Sequence, residues 1–446
     1  MNSESKSGFF KQSGWMVIAT FSGGIFMTLV HTVARKMGPE DYSTFVTLLR
    51  VLIILGIPSA ALQTVFAQQA AAATNEERQR QLSATARAIF GWTFAVWLLA
   101  AIAVLAQLGP VSRLLKASNP VAVCLTLAVG LTSLWGPIVK GLLQGNHQFG
   151  GLGWLQILDG VGRFTVTLVA VLLLGGKAAS AMMAAFLGQL AALCIGGWLT
   201  RQAWTSHRGA RFNWRGWMSG ALPLTVGLGT VLLMSSIDMI FVQSFFSDTR
   251  QTALYGGAML TGYAIIQFIA PVTTVMFPRI VRAVAHAEQT DGMKMTLAAT
   301  VLFGCTAALG CTVFPKLPLR LMYFNNPEML AAAPLVPWFG WALLPLTVAN
   351  VLVQNVLARS RFDAAKWLVL VPIGYTAALC FQAPRLAKMT SFDAFTRIIQ
   401  TLGISCVALC AVAAWFCRDR RVTGGAADRD LAPAPATSDK SSSQVA

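Results

Sequence analysis

The feature that most constrains the fold of this chain is an internal repeat at a spacing of 213 residues. Four landmarks recur in this register: Tyr42 as Tyr255, Pro58 as Pro271, Phe149 as Phe362 and Trp154 as Trp367. A constant spacing at four aromatic and proline positions indicates an ancestral duplication. Each half of the chain should therefore form a similar structural unit.

Both halves are strongly apolar. Hydrophobic residues make up 55% of the chain and charged residues 11%, against roughly 25% charged residues in ordinary soluble domains. The charges lie between long apolar runs, each with the ~20 residues that a helix needs to cross a bilayer. The predicted fold is therefore an all-α polytopic membrane protein embedded in the lipid bilayer. Its twelve transmembrane helices are predicted at about residues 15–34, 42–67, 87–109, 120–143, 152–174, 179–203, 216–245, 252–277, 294–314, 329–357, 364–383 and 394–417.

The spans divide equally between the halves. Six spans return the chain to the side on which it started, so the two six-helix repeats should be parallel around a central cavity. Duplicated bundles of this kind are typical of secondary transporters, which favours translocation over catalysis. The predicted regions are an N-terminal cytoplasmic tail (1–14), a first half (15–205), a cytoplasmic linker (206–215), a second half (216–417) and a disordered cytoplasmic tail (418–446).

The net charge of +17 is explained by membrane topology. With the amino terminus inside, 21 of the 34 Lys and Arg residues fall on cytoplasmic segments and 11 on outer loops. This bias favours both termini in the cytoplasm. No nucleic-acid partner is expected, because the predicted architecture has no soluble domain to carry a basic patch.

Cysteine and histidine usage predicts neither a metal site nor a cofactor. The eight cysteines lie in or beside apolar spans, without paired loop spacing or a CxxC motif. None of the four histidines lies near a second plausible ligand in the sequence. The first apolar run has no small-residue cleavage site after a short hydrophobic region, so it is expected to be a retained helix.

Four short motifs occur in a characteristic order: ARKMGPEDY at 34–42, KGLLQGNHQF at 140–149, LYGGA at 254–258 and FPR at 277–279. With Asp238 in span seven, they make the chain resemble the multidrug/oligosaccharidyl-lipid/polysaccharide (MOP) flippase superfamily. Within it, the chain is most similar to the bacterial polysaccharide-biosynthesis oligosaccharide flippases. The resemblance extends over residues 10–417 and rests on the order and spacing of the motifs.

The resemblance implies a V-shaped pair of six-helix bundles in the bacterial inner membrane. Such proteins move an undecaprenyl-pyrophosphate-linked glycan from the cytoplasmic to the periplasmic leaflet, and glycosyltransferases or a polysaccharide polymerase are expected partners. Polar cargo cannot cross ~30 Å of hydrocarbon without replacement partners for its hydration. The carrier therefore needs a polar, preferably cationic, cavity between its helices.

Few charges lie inside the predicted spans, where each costs about 2.5–3.5 kcal/mol. The candidate substrate-binding residues are Arg50, Asp159, Arg163 and Asp238. Asp159 and Arg163 lie four residues apart on one helical face, so they either bind substrate or neutralise each other. Asp238 is either a coupling-ion site or a hydrogen-bonded packing residue beside two serines.

Two further cations are expected to extend to the cytoplasmic interface, Lys140 at the end of span four and Arg279 at the end of span eight. The charges inside the spans do not follow the repeat, because Tyr263, Pro372 and Thr376 stand where Arg50, Asp159 and Arg163 would recur. Charges confined to one copy suit a site that became specialised after the duplication.

Several residues inside the spans weaken helix geometry and are candidate bends for alternating access: Gly23, Gly24, Pro58, Pro223, Pro271 and Pro372. Close packing by small residues is the alternative role of the glycines.

Three classes of function fit this architecture. A flippase for lipid-linked oligosaccharide is favoured by the motifs and the intramembrane arginines. A cation-coupled multidrug exporter of the same superfamily would use the acidic residues Asp159 and Asp238. A membrane-embedded glycan ligase or polymerase would need catalytic residues in a large outer loop, and the predicted outer loops are short. We therefore expect a transporter and not an enzyme.

Overall fold

The computed structural model describes residues 3–53, 56–115, 119–205, 212–246, 248–285, 292–323 and 327–418. Within these ranges the side chains of Arg50 and of residues 264–269 are not described. The described residues form helices joined by short turns, with no strand among them. The predicted all-α fold is therefore confirmed.

The first half contains eight helices: α1 (Ser3–Ala34), α2 (Pro39–Ile53), α3 (Gly56–Ala72), α4 (Glu76–Ala106), α5 (Leu108–Leu114), α6 (Pro120–Gly145), α7 (Phe149–Leu168) and α8 (Ala178–Thr205). A π-helical turn (Val169–Leu173) extends α7. Residues 3–14, which we assigned to a tail, belong to α1.

The second half contains nine helices: α9 (Trp214–Met234), α10 (Ile237–Phe245), α11 (Thr249–Ala285), α12 (Gly292–Val313), α13 (Lys316–Tyr323), α14 (Pro327–Leu330), α15 (Val336–Ala358), α16 (Ala365–Leu386) and α17 (Ser391–Cys417). The predicted tail beyond residue 418 and residues 206–211 of the predicted linker lie outside the described residues.

The helices account for the twelve predicted spans. Ten segments are long and apolar enough to cross a membrane. Span two is divided between α2 and α3, each too short to be counted by itself. Span eight is the 37-residue helix α11, the longest of the described helices.

Polar caps define where several helices begin. The side chains of Asn75, Asn119 and Asn213 accept hydrogen bonds from backbone N–H groups in the first turns of α4, α6 and α9. Thr390 does the same at the start of α17. These caps satisfy N–H groups that would otherwise lack partners at the helix ends.

The repeat is visible in the packing of the helices. In the first half α7 packs on α1 and α8, and α6 packs on α3 and α8. In the second half the equivalent helix α16 packs on α9 and α17, and α15 packs on α11 and α17. The contacts between the halves are also paired, because α3 packs on α9 as α11 packs on α1. This pattern matches two parallel repeats related by an axis along the helices.

The same register holds in the backbone. His147 and Ser360 are 213 residues apart, and both have positive φ, at 58° and 54°. Each follows the end of a helix, α6 or α15, within the same set of three backbone hydrogen bonds. One of these bonds runs from Gln148 N–H to the carbonyl of Leu143, which is the six-to-one bond of a Schellman cap. The duplication therefore extends to the geometry of the helix ends.

Glycines allow the closest helix contacts. A Cβ atom on Gly160 of α7 would lie 2.8 Å from the carbonyl oxygen of Gly23 on α1. A Cβ atom on Gly141 of α6 would lie 2.4 Å from the carbonyl oxygen of Gln63 on α3. Small residues at such positions let helix backbones approach directly.

The candidate bends are largely corrected by the structure. Helix α1 runs without interruption through Gly23 and Gly24, and Gly23 is used for packing on α7. Helices α9, α11 and α16 likewise continue through Pro223, Pro271 and Pro372. A proline inside a helix removes one backbone hydrogen bond, which these helices tolerate without ending.

Spans two and seven are the interrupted ones. Helix α3 begins at Gly56, so Pro58 lies in its first turn, where a proline is well tolerated. In span seven the interruption falls at Ser235 and Ser236, between α9 and α10, and not at Pro223. Pro58 and Pro271 therefore do not shape spans two and eight alike.

Candidate functional site

The two halves are joined by hydrogen bonds near one end of the bundle. Arg279 Nη2 donates to Gln12 Oε1 at 2.7 Å. Gln68 Nε2 donates to the carbonyl of Leu357 at 3.2 Å, and Gln144 Nε2 donates to a carbonyl of α11 at 3.0 Å. Because α1 begins and α17 ends here, we call this end the terminus side.

The apolar core also connects the halves on the terminus side. One cluster of buried residues joins Val65, Leu143 and Phe149 of the first half to Val356 and Leu357 of the second. Toward the opposite side the first half has a separate core, which within the described residues contains no second-half member. That core comprises Val30, Ala34, Phe45, Leu48, Ala122, Val123, Val129, Ala178, Ala181, Met182 and Ala185. The buried apolar contact between the halves is thus concentrated on the terminus side.

A charged cluster lies inside the first half, and it includes the predicted pair. Arg163 Nε donates to Asp159 Oδ1 at 2.7 Å, and Nη2 donates to Oδ2 at 3.4 Å, within α7. The two side chains are 11% and 21% exposed. Gln189 of α8 completes the cluster, because the amide orientation that satisfies both of its groups accepts from Arg163 and donates to Thr132.

Lys140 joins this cluster, contrary to our expectation that it would extend to the interface. Its Nζ lies 4.0 Å from Asp159 Oδ2. Lys140 and Asp159 also line a cavity of about 230 Å³ between α2, α3, α6, α7 and α8. The carboxylate attracts the ammonium group inward because no bulk water competes with that attraction inside the bundle.

The second half has no equivalent of the charged cluster among its described residues. Thr376, at the position of Arg163, donates to the carbonyl of Pro372 in its own helix at 2.9 Å. Tyr263, at the position of Arg50, donates to the carbonyl of Ser235. The polar groups at these positions serve the interrupted and proline-containing helices of the second half.

Asp238 lies in the second half and is fully buried at the start of α10. Tyr255 of α11 donates to its Oδ2 at 2.9 Å. Its Oδ1 has no hydrogen-bond partner among the described residues. Ser235 and Ser236 bond to carbonyls of α9 instead, so the expected serine partners are replaced by the repeat landmark Tyr255.

The remaining two predicted cations lie apart from the charged cluster. Arg50 belongs to α2, and its side chain lies outside the described residues. Arg279 lies on the terminus side, where it bridges the halves through Gln12, as expected of a residue at that end of span eight. The structure thus brings together Asp159, Arg163 and Lys140 and separates them from Asp238.

Sequence reasoning missed Gln189 and Gln68. Both are glutamines in apolar surroundings, where an amide needs partners on other helices. That rule marks them as contact residues, but it cannot say that Gln189 meets Arg163 or that Gln68 meets Leu357.

The chain matches the family model described as "Polysaccharide biosynthesis protein" over residues 10–284. No curated protein sequence matches it significantly. Similar folds occur in a MOP superfamily transporter from Pyrococcus furiosus, with a TM-score of 0.72 and 14% identity over 92% of this chain and 94% of that chain. A MATE transporter from Vibrio cholerae has a TM-score of 0.74 and 14% identity over 92% and 95% of the two chains.

A multidrug resistance MATE family transporter of the MOP superfamily, in an outward-facing conformation, has a TM-score of 0.67 and 13% identity over 91% and 93% of the two chains. At these identities the likeness concerns the fold, and it supports the two six-helix halves. The family match covers more than half of the chain and agrees with the resemblance of the motifs. The chain therefore belongs to the polysaccharide biosynthesis protein family and is a multi-pass membrane transporter of the MOP superfamily.

Proposed function

We propose that this transporter flips a lipid-linked oligosaccharide, of the undecaprenyl-pyrophosphate class, from the cytoplasmic to the periplasmic leaflet of the bacterial inner membrane. The observation that carries the proposal is the pair of cations, Lys140 and Arg163, around the single carboxylate of Asp159. An excess of positive charge inside the bundle suits an anionic cargo and disfavours a cationic one. The family description, polysaccharide biosynthesis, points to the same cargo.

The distribution of Lys and Arg supports an orientation with both termini in the cytoplasm. The terminus side would then be the cytoplasmic side, closed by contacts such as those of Gln68 and Arg279. Alternating access would require these hydrogen bonds to break when the cavity opens toward the cytoplasm. The cargo would enter there and leave after the halves close again.

The candidate residues take distinct roles in this proposal. Arg163, held by Asp159, would present its guanidinium in a fixed orientation, since a bidentate fork suits phosphate oxygens. Arg50 would supply a second cation from span two. Arg279 would meet the cargo at the cytoplasmic mouth, and Asp238 would support the second half as a polar, hydrogen-bonded residue.

A cation-coupled multidrug exporter is the alternative, and one observation favours it. Asp238 is fully buried with one oxygen without a described partner, as a site for a proton or a cation would require. The similar MATE folds fit this reading as well as the flippase reading.

Reconstituted vesicles distinguish the two functions. A fluorescent polyprenyl-pyrophosphate disaccharide is incorporated in both leaflets, and dithionite added outside reduces the accessible label, with and without proton and sodium gradients. The flippase reading expects that the protected fraction falls well below one half. Arg163→Ala should abolish this effect, whereas the control Arg113→Ala, an exposed arginine of α5, should not.

Efflux of a quaternary ammonium dye from the same vesicles tests the exporter. Dye efflux together with an unchanged protected fraction would reject the flippase. Genes for glycosyltransferases and a polysaccharide polymerase beside this one would support the proposed cargo and partners.

A further inference from the structure

The cavity inside the first half is unbalanced in charge. Lys140 and Arg163 are cations and Asp159 is the only carboxylate bonded to either of them among the described residues. The cluster therefore carries a net charge of +1 when all three groups are ionised. An uncompensated charge inside a membrane protein is costly, so it normally has a partner.

The excess charge resides on Lys140. Arg163 is bound to Asp159 by two hydrogen bonds and also contacts Gln189. Lys140 Nζ is 4.0 Å from the carboxylate, which is an ionic contact but exceeds hydrogen-bonding distance. Among the described residues Lys140 forms no hydrogen bond, although an ammonium group has three donors.

The space beside Lys140 is polar and large enough for a ligand. The cavity holds about 230 Å³, enough for several water-sized molecules. Its wall includes the hydroxyl groups of Ser59, Thr132 and Ser133 and the amide of Gln189. These groups can donate hydrogen bonds to an anion. A cation in the same space would meet two positive side chains.

We propose that this cavity binds a small anion, of the size and charge of chloride or of one phosphate oxyanion, against the ammonium group of Lys140. The anion neutralises the cluster and fills the donors that the protein leaves open. The same chemistry can come from a free anion in solution or from the phosphate of a lipid-linked cargo. For a free anion, the site exists whatever the protein transports.

The site is tested on the purified full chain in detergent, without cargo. Sodium gluconate is replaced stepwise by sodium chloride, or by sodium phosphate, at constant ionic strength, and the midpoint of thermal unfolding is recorded. A ligand that binds only the folded state raises this midpoint in a saturable manner. Chloride or phosphate should therefore raise the midpoint of the wild type, whereas gluconate should not.

Variants of Lys140 identify the ligand. Lys140→Met should abolish the anion-dependent shift and should be at least as stable as the wild type in gluconate, because it removes the unneutralised charge. Lys140→Arg should retain a shift. The control Lys177→Met, which changes an exposed lysine outside the cavity, should respond like the wild type.

Two results would overturn the site. The first is a wild type that responds to neither anion, which is also the expected result if Lys140 is neutral. The second is an equal response in Lys140→Met, which would place the anion elsewhere.

The source of the anion is resolved by competition. Undecaprenyl pyrophosphate that abolishes the chloride response of the wild type assigns the site to the cargo phosphate. A chloride response that persists at saturating lipid assigns it to the free anion. Neither result depends on the transport assay, so failure of the flippase proposal would leave the anion site standing.

Discussion

Asp159 holds two cations, and its replacement should cost more than the replacement of either cation. Asp159→Asn leaves Lys140 and Arg163 as neighbouring like charges without a carboxylate. Arg163→Met leaves Asp159 with Lys140 at 4.0 Å, a neutral pair. The simple description of Asp159 and Arg163 as one ion pair predicts equal effects for the two variants. The structure predicts unequal ones.

The magnitudes follow from the distances. At an effective dielectric constant of about 20, charges 4.0 Å apart attract by about 4 kcal/mol before desolvation, so Lys140 is a substantial second partner. Loss of one member of a buried pair costs about 3–5 kcal/mol, which we expect for Asp159→Asn. Arg163→Met loses charged hydrogen bonds worth about 1.5–3 kcal/mol, but Asp159 keeps a cation. The double variant should be less destabilised than Asp159→Asn alone.

A thiol-reactive dye provides the assay. Cys311 and Cys406 are buried and unpaired, so they react when the protein unfolds. For Asp159→Asn we expect the midpoint of thermal unfolding to fall by roughly 5–10 °C, compared at one scan rate. The control pair is Glu76 and Arg80, which has the same four-residue spacing but lies on the surface with side chains 81% and 53% exposed. Its replacement should change the midpoint little.

Equal destabilisation by Asp159→Asn and Arg163→Met would refute the role of Lys140 as a second partner. The same double-mutant cycle measured on transport separates structure from function. Recovery of transport in the double variant would reduce Asp159 and Arg163 to a structural pair. Loss of transport in Arg163→Ala, with or without Asp159→Ala, would support a substrate role.

Three further predictions concern other parts of the chain. Burial and the nearby Arg282 and Arg279 lower the pKa of His147 from 6.5 to about 4, so the unfolded chain gains a proton first as pH falls. Folding stability should therefore decrease between about pH 6.5 and pH 4, and His147→Asn, which tolerates positive φ, should show a flatter pH profile of unfolding midpoints. Tyr255→Phe removes the one described side-chain partner of Asp238 and should lower the unfolding midpoint, and a further Asp238→Asn change should add less than it does in the wild type, whereas additive effects would contradict this coupling. In a cysteine-free background, a cysteine at position 113 should be labelled from outside intact cells and one at position 208 should not, and the reverse pattern would overturn the proposed orientation.

Local features of the sequence were sufficient to predict the number and limits of the spans and the register of the duplication. Apolar run length reports whether a helix can cross a bilayer, because backbone hydrogen bonds must be satisfied within each span. The spacing of 213 residues between landmarks extends to equivalent helix caps at His147 and Ser360, since the same local chain geometry was duplicated. The pairing of Asp159 with Arg163 was also readable, because residues four apart share a helical face.

Only the tertiary structure showed that Lys140 turns toward Asp159 and that Asp238 meets Tyr255. Both contacts join different helices, and helical periodicity carries no information about which helices become neighbours. The interruption of span seven at residues 235 and 236 was missed for a related reason. A proline such as Pro223 weakens a helix locally, but packing against other helices can hold the helix together through the proline.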